Sequence, residues 1–403
     1  EHHTRLLRDA YGLYFSENGL SPAAFPSLRR MEIDIVAMIR DLLRGDSSIA
    51  GTMTSGGTES ILLAVKTYRD RARVQRPEIT QPEILLPLSA HPAFLKAAQF
   101  FGLTATPLPL AADFRTDLGA LEASITPNTV CIVASAPCYP HGVVDRIPRM
   151  AAIAQRADVG LHVDACLGGF LLPFMRELGE TVTDFDFAVP GVTSISADLH
   201  KNGYAAKGAS AVLYRGEELQ QHQFFVSTDW PGGVYASPTM LGTRPGGAIA
   251  AAWAAMLAMG RDGYRDMVRT TREVTRDFVR LINETGELQV LGDVDANVVC
   301  VGSERRDVFA IADGLESLGW RIDRQVNPDC LHHIVTPNHR QALADYRRDL
   351  AAALAASGPG PAVREQSRPS LYGVTANVAA EGNSDSAVRS ALARSLRLPD
   401  SAQ

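Results

Sequence analysis

The chain has 403 residues, 46% of them hydrophobic and 21% charged, enough to bury a large core and to form two or three domains. Its net charge of −6 offers no basic footprint for a nucleic acid, and no nucleic-acid partner is expected. The five cysteines (131, 138, 166, 300 and 330) have neither metal nor redox spacing, so no metal site is expected and a reducing cytoplasm is the expected compartment.

The chain opens at Glu1 inside a helical pattern, "HHTRLLRDAYGLYF", which leads us to expect a segment before it. Residues 1–30 are read as an incomplete N-terminal segment. Strand-like apolar runs then alternate with helical patterns. "EILLPL" (83–88) precedes the helical "PAFLKAAQFFG", and "TVCIVASA" (129–136) precedes "IPRMAAIAQRADV". "GLHVDA" (160–165), "GVTSISAD" (191–198) and "ASAVLYR" (209–215) follow. This alternation predicts an α/β fold, a largely parallel sheet with helices on both faces, in residues 31–262. "GGAIAAAWAAMLAMG" (246–260) is shorter than the ~20 apolar residues of a membrane span and reads as a buried helix, so no spanning segment is expected. Residues 263–403 read as a smaller α+β domain: a charged helix at 263–286, short strands near 288–301 and a helix near 306–318. A Gly/Pro/Ser linker at 357–370 and a last helix near 384–396 complete it.

Only four of the 39 basic residues are lysines, at 66, 96, 201 and 207, and two of these stand six positions apart in "SADLHKNGYAAKG". Lys201 follows a strand end. A lysine that forms a Schiff base must lose its proton and attack a carbonyl, which arginine cannot do. Lys207 is a compact ammonium suited to a phosphate, or a surface lysine near a turn. "TSGGTES" opens a periodic helix, so the backbone at Gly56, Gly57 and Thr58 suits an anion, or is an ordinary helix start. Asp164 ends a buried strand and needs a cationic partner, unless it is a cap or an ion-pair residue. His91 could lie over an aromatic ring, or cap the next helix. Together they match the needs of pyridoxal 5'-phosphate: a helix start for its phosphate, a ring-stacking residue, a carboxylate for the pyridine nitrogen and a lysine for the aldehyde.

"FPSLRRME", "TSGGTESILLAVKTYRD", "HVDACLGGF", "GVTSISADLHKNGYAAKG" and "FFVSTDWPGGVYASPTMLGTRPGG" together resemble the sphingosine-1-phosphate lyase family, group II decarboxylases of the type I pyridoxal-phosphate fold. The resemblance runs from about residue 5 to "LYG" at 371–373. It implies a mostly parallel seven-stranded-type sheet and a smaller C-terminal domain. It implies retro-aldol cleavage of a phosphorylated sphingoid base to a long-chain aldehyde and phosphoethanolamine. Lys201 would carry the cofactor, Asp164 would pair with its pyridine and His91 would stack on its ring, with His200 a further site residue. Gly56, Gly57 and Thr58 would hold the cofactor phosphate, and Lys207 would lie near the substrate phosphate. Tyr235 and Ser237 would come from the neighbouring subunit of a homodimer. Eukaryotic relatives carry a membrane anchor upstream; the resemblance here is to a soluble, cytoplasmic bacterial form.

Two departures stand out. Asn18 is retained from a family Asn-Pro-Leu-His stretch, but Ser21 stands where the phosphate-contacting histidine would be. A family Gly-Ala-Val-Tyr stretch would precede the first helix and is absent from this sequence. Asn202 replaces a common tyrosine. Three rival readings remain: an amino-acid decarboxylase, which would use the same cofactor residues, a lyase for another β-hydroxy amine, and an inactive binding homologue. The last is disfavoured by the presence of both Lys201 and Asp164.

Overall fold

The computed structural model of the protein describes residues 1–358 and 385–395. The expected linker beyond residue 358 and the "LYG" at 371–373 lie outside the described residues. The chain divides into two compact units. The first is Glu1–Glu273 with Gly292–Asn297; the second is Val274–Leu291 with the described residues from Val298 onward.

Seven strands of the first unit form one sheet: β1 (Ile49–Thr54), β2 (Glu83–Pro87), β3 (Thr104–Leu108), β4 (Thr129–Ser135), β5 (Gly160–Asp164), β6 (Ser194–Ala197) and β7 (Ser210–Arg215). Their order is β1-β7-β6-β5-β4-β2-β3. Neighbours from β6 through β3 run parallel, whereas β7 is antiparallel to both β6 and β1. Patterning does not mark β1 or β3. In β1, "IAGTMT", Gly and Thr interrupt the apolar run, and β3, "TATPL", is a half-exposed edge strand.

The helices of this unit are α1 (His2–Leu13), α2 (Pro26–Leu42), α3 (Gly57–Gln75), α4 (Ala93–Phe101), α5 (Leu118–Ser124), α6 (Ile147–Arg156), α7 (Leu172–Glu177) and α8 (Glu217–Gln220), followed by the part of α9 (Gly246–Glu284) up to Glu273. They cover both faces. Along the fully buried β4, Cys131 and Val133 join Ile61, Val65 and Phe94 of α3 and α4, while Ile132 and Ala134 join Ile35 of α2, Met150 of α6 and Ile249 of α9. Burial on both faces is why β4 reads as a continuous apolar run rather than an alternating one. Within α9 the alanine-rich and charged stretches meet at Gly260, whose φ of +54° breaks the helical path and suits glycine. A hairpin of β8 (Phe225–Ser227) and β9 (Tyr235–Ser237) stands apart from the main sheet.

The second unit holds an antiparallel sheet of β10 (Gln289–Val290), β11 (Val298–Gly302), β12 (Asp323–Gln325) and β13 (Cys330–Ile334), in the order β10-β11-β13-β12. Its helices are α10 (Val308–Ser317), α11 (Leu343–Ala356) and α12 (Asp385–Ser395). Asp307 caps α10 by accepting from the Phe309 and Ala310 amides at 2.9 and 3.2 Å. β12, β13 and α11 are not marked by the sequence pattern.

Candidate active site

Parallel strands bring the loops after their carboxyl ends to one edge of the sheet, the usual ligand edge of such folds. Here that edge carries His91 beyond β2, Asp164 at the end of β5 and Asp198–Lys201 beyond β6. The Ser55–Gly57 loop beyond β1 joins them.

That loop fits closely against the others. A Cβ on Gly57 would sit 2.8 Å from Cys166 Sγ and 3.0 Å from Asp198 Oδ1, and one on Gly56 would touch the His200 ring at 3.4 Å. Glycine at 57 is therefore required by close approach. α3 begins there without a side-chain cap, which leaves its first amides available to an anion. Glu59 reaches back to accept from the Ser55 amide at 2.6 Å, and its other oxygen accepts from the Met240 amide at 2.9 Å. Thr58 is exposed.

Lys201 Nζ lies 2.9 Å from the buried Asp198 carboxylate. Burial opposes the lysine charge, but Cys166, Asp198 and Asp164 outweigh it and raise its pKa. Burial also opposes charge on Asp198. The His200 hydrogen bond, the Lys201 ammonium and the Ser210 hydroxyl (2.6 Å) overcome it and hold the carboxylate at about 2. Ser210 Oγ lies 3.0 Å from Ser60 Oγ, itself 2.6 Å from Thr54 Oγ1, so a buried hydroxyl chain anchors Asp198 to β1 and α3. His200 Nδ1 accepts from the Ala209 amide at 3.2 Å.

Asp164 accepts from the Cys166 amide at 3.1 Å and from Ser196 Oγ at 3.2 Å, both on Oδ1. His91 Nδ1 accepts from the Ala93 amide at 3.1 Å, so the neutral ring carries its proton on Nε2. Burial lowers the His91 pKa, and the ring feels the charges of Asp164, Lys201 and Asp198.

The structure thus gathers Gly56, Gly57, His91, Asp164, His200 and Lys201. The remaining candidates lie in peripheral segments. Lys207 is exposed, with Nζ donating to the His200 carbonyl at 2.8 Å. Asn18 Oδ1 accepts from the Leu20 and Arg244 amides at 2.9 and 3.2 Å, holding a turn. Ser21 is exposed. Tyr235 packs near Phe225 and Trp230 within the hairpin, and Ser237 Oγ donates to the Thr239 carbonyl at 3.1 Å. Asn202 donates to the Leu167 carbonyl at 2.7 Å, tying the lysine loop to the segment after β5.

A family profile described as "Pyridoxal-dependent decarboxylase conserved domain" matches residues 3–302. A sphingosine-1-phosphate lyase of Oryza sativa is 41% identical over 95% of this chain and 72% of its own length. One from Mus musculus is 40% identical over 92% of this chain and 66% of its own. The structure of the Burkholderia pseudomallei sphingosine-1-phosphate lyase superposes with a TM-score of 0.85 at 41% identity, over 88% of this chain and 83% of the other. The chain belongs to the sphingosine-1-phosphate lyase family. A Lactobacillus brevis glutamate decarboxylase, at 21% identity and a TM-score of 0.77, shares the fold.

The cofactor of this pyridoxal-dependent family is pyridoxal 5'-phosphate, and the residues of the lyase-family chain fit it. An uncapped glycine helix start suits the phosphate, Asp164 keeps its hydrogen bonds on one oxygen, and a lysine stands at the next strand end. Patterning missed Glu59, Cys166, Ser196, Asp198 and Ser210. A polar residue at every second position of "LHVDA" and "SISAD" was the available signal for Ser196, since such residues share one face of a buried strand pair.

Proposed function

We propose that this chain is a pyridoxal-phosphate-dependent aldehyde-lyase. It cleaves the C2–C3 bond of a phosphorylated sphingoid base such as sphingosine 1-phosphate, releasing a long-chain aldehyde and phosphoethanolamine. The observation that carries the reading is the pair Asp164 and Lys201, held at the carboxyl ends of adjacent parallel strands beside the Gly56–Gly57 helix start.

When bound, the cofactor supplies an electron sink for the pair left on C2 as the bond breaks. Lys201 would provide the amine that holds the cofactor's aldehyde carbon. Asp164 holds a proton on the pyridine nitrogen, because a carboxylate nearby favours the charged ring. His91 covers the ring. The first amides of α3, with Gly56, Gly57 and Thr58, hold the cofactor phosphate, and His200 supports that end. Lys207 binds the substrate phosphate as a point charge.

The active unit is a homodimer with shared sites, Tyr235 and Ser237 of each copy completing the other's substrate pocket. Support for this comes from the exposed apolar hairpin, with Phe225, Val226, Trp230 and Val234 all more than half exposed. The enzyme works in the cytoplasm. In support, among the described residues no helix is long and apolar enough to cross a membrane, and the five cysteines are free.

The exposed Ser21, at a family histidine position, favours a second reading: cleavage of a different β-hydroxy amine. One experiment separates the two. The chain is incubated with pyridoxal phosphate and dihydrosphingosine 1-phosphate, and the products are read by mass spectrometry. Fatty aldehyde and phosphoethanolamine are expected. A visible band from lysine-bound cofactor with neither product would refute the substrate and favour the second reading.

A further inference from the structure

Behind Asp164, on the α3 side of the sheet, β5 and β6 carry an unusual stripe of polar residues. The register pairs His162 with Ser194 and Asp164 with Ser196. His162, Ser194, Ser196 and Tyr68 of α3 are all fully buried. Buried polar groups are costly unless bonded, so the stripe must close on itself.

Its hydrogen atoms can be placed by elimination. A carboxylate only accepts, so the single Ser196 proton goes to Asp164 Oδ1 at 3.2 Å. Ser196 Oγ must then accept from His162 Nε2 at 3.3 Å, and it also receives the Cys166 thiol at 3.5 Å. In the neutral ring Nδ1 is left to accept, and Ser194 Oγ at 2.8 Å is its donor. The Tyr68 hydroxyl lies 2.6 Å from Ser194 Oγ and 2.7 Å from Thr193 Oγ1, and either oxygen can take its proton. We infer that His162 is a positioning residue for Asp164: the relay Ser194–His162–Ser196 directs its protons toward the carboxylate and leaves Oδ2 for a protonated ring nitrogen. This rests on the cofactor reading above.

The ring is neutral, since burial pushes its pKa down to about 4. The titratable groups facing it are Asp164 on its own strand, Tyr68 from α3, Cys131 from β4 and Cys166 after β5. Burial raises Tyr68, Cys131 and Cys166, which keeps all three uncharged. A neutral His162 does not compete with the cofactor as the carboxylate's cation. It also fixes which way Ser196 points. Without an Nε2 donor, Ser196 Oγ is no longer polarised by the imidazole N–H, and its bond to the carboxylate weakens.

The test uses the full chain with pyridoxal phosphate. His162→Leu removes the donor, His162→Gln keeps an N–H, and Ser196→Ala cuts the relay at its last step. A hydrogen bond to a charged group sets the scale. The Leu and Ala variants should bind the cofactor about tenfold more weakly, with a shifted visible band, and should lose kcat while KM stays within about twofold. His162→Gln should recover most of each loss. If His162→Leu does not fold, Ser196→Ala carries the test. Wild-type affinity and spectrum in Ser196→Ala would overturn the relay. So would nitrogen-15 shifts placing the His162 proton on Nδ1, a readout that needs no cofactor. No visible band in the unsubstituted protein would instead overturn the cofactor reading, and the relay's role with it, while the tautomer would still report the relay itself.

Discussion

Two regions of the first unit contrast sharply. Around Asp164 and Lys201, the side chains of Ser60, His162, Ser196, Asp198 and Ser210 are almost completely buried, each bonded to a named partner. Ser21, Lys207 and most of the β8–β9 hairpin are exposed, with Trp230 58% open to solvent, although Ser237 is buried. Low dielectric and short hydrogen bonds hold these side chains in place before any ligand arrives, with both bonds of Asp164 on Oδ1. The exposed region has surfaces but few fixed partners, so its order must come from what binds there. On the proposed function, the cofactor chemistry would sit in strand register and substrate choice in loops.

Lys201→Ala should break the buried region most severely. It removes the attachment point, so both the visible cofactor band and turnover should vanish. A band that survives would remove Lys201 from its role.

Acid should weaken the same region. The folded pKa of His162, about 4, lies below its ordinary 6.5, so the folded state resists the proton that the unfolded chain accepts. Its stabilising contribution is complete above pH 6.5 and is lost as pH falls toward 4, by up to about 3 kcal/mol. Urea unfolding of wild type and His162→Gln at pH 7 and pH 4.5 isolates this share. Equal acid losses in the two proteins would mean that His162 is not held neutral.

Gly57→Ala probes the tightness of the same packing. The added methyl meets Cys166 and Asp198, so stability should fall by about 1–3 kcal/mol and cofactor affinity with it. An unchanged melting temperature and affinity would show that the loop has slack. Lys207→Ala should sharpen the contrast from the other side. The KM for a phosphorylated substrate should rise about tenfold, as for loss of one charge-assisted bond, with the cofactor band untouched. A changed band would place Lys207 in the buried region instead.

The chain's own pattern reached far into the buried region. "TVCIVASA" and "GLHVDA" announce strands because both faces of β4 and β5 are covered. Lys201 stands out because it is one of only four lysines in an arginine-rich chain and follows a strand end. The same pattern missed β1 and β3, whose Gly, Thr and Pro weaken an apolar signal even inside a sheet. It also gave Asp164 a role and passed over Asp198, although both end strands.

What the sequence by itself determined is local: the helix start at Gly56–Gly57, and the strand ends that carry Asp164 and Lys201. What only the tertiary structure decided is pairing across distance. Tyr68 meets Ser194 from 126 residues away, and Ser60 meets Ser210 from 150. Sheet register chooses those partners, because a shift of one residue would turn every hydroxyl and imidazole of the stripe to the opposite face.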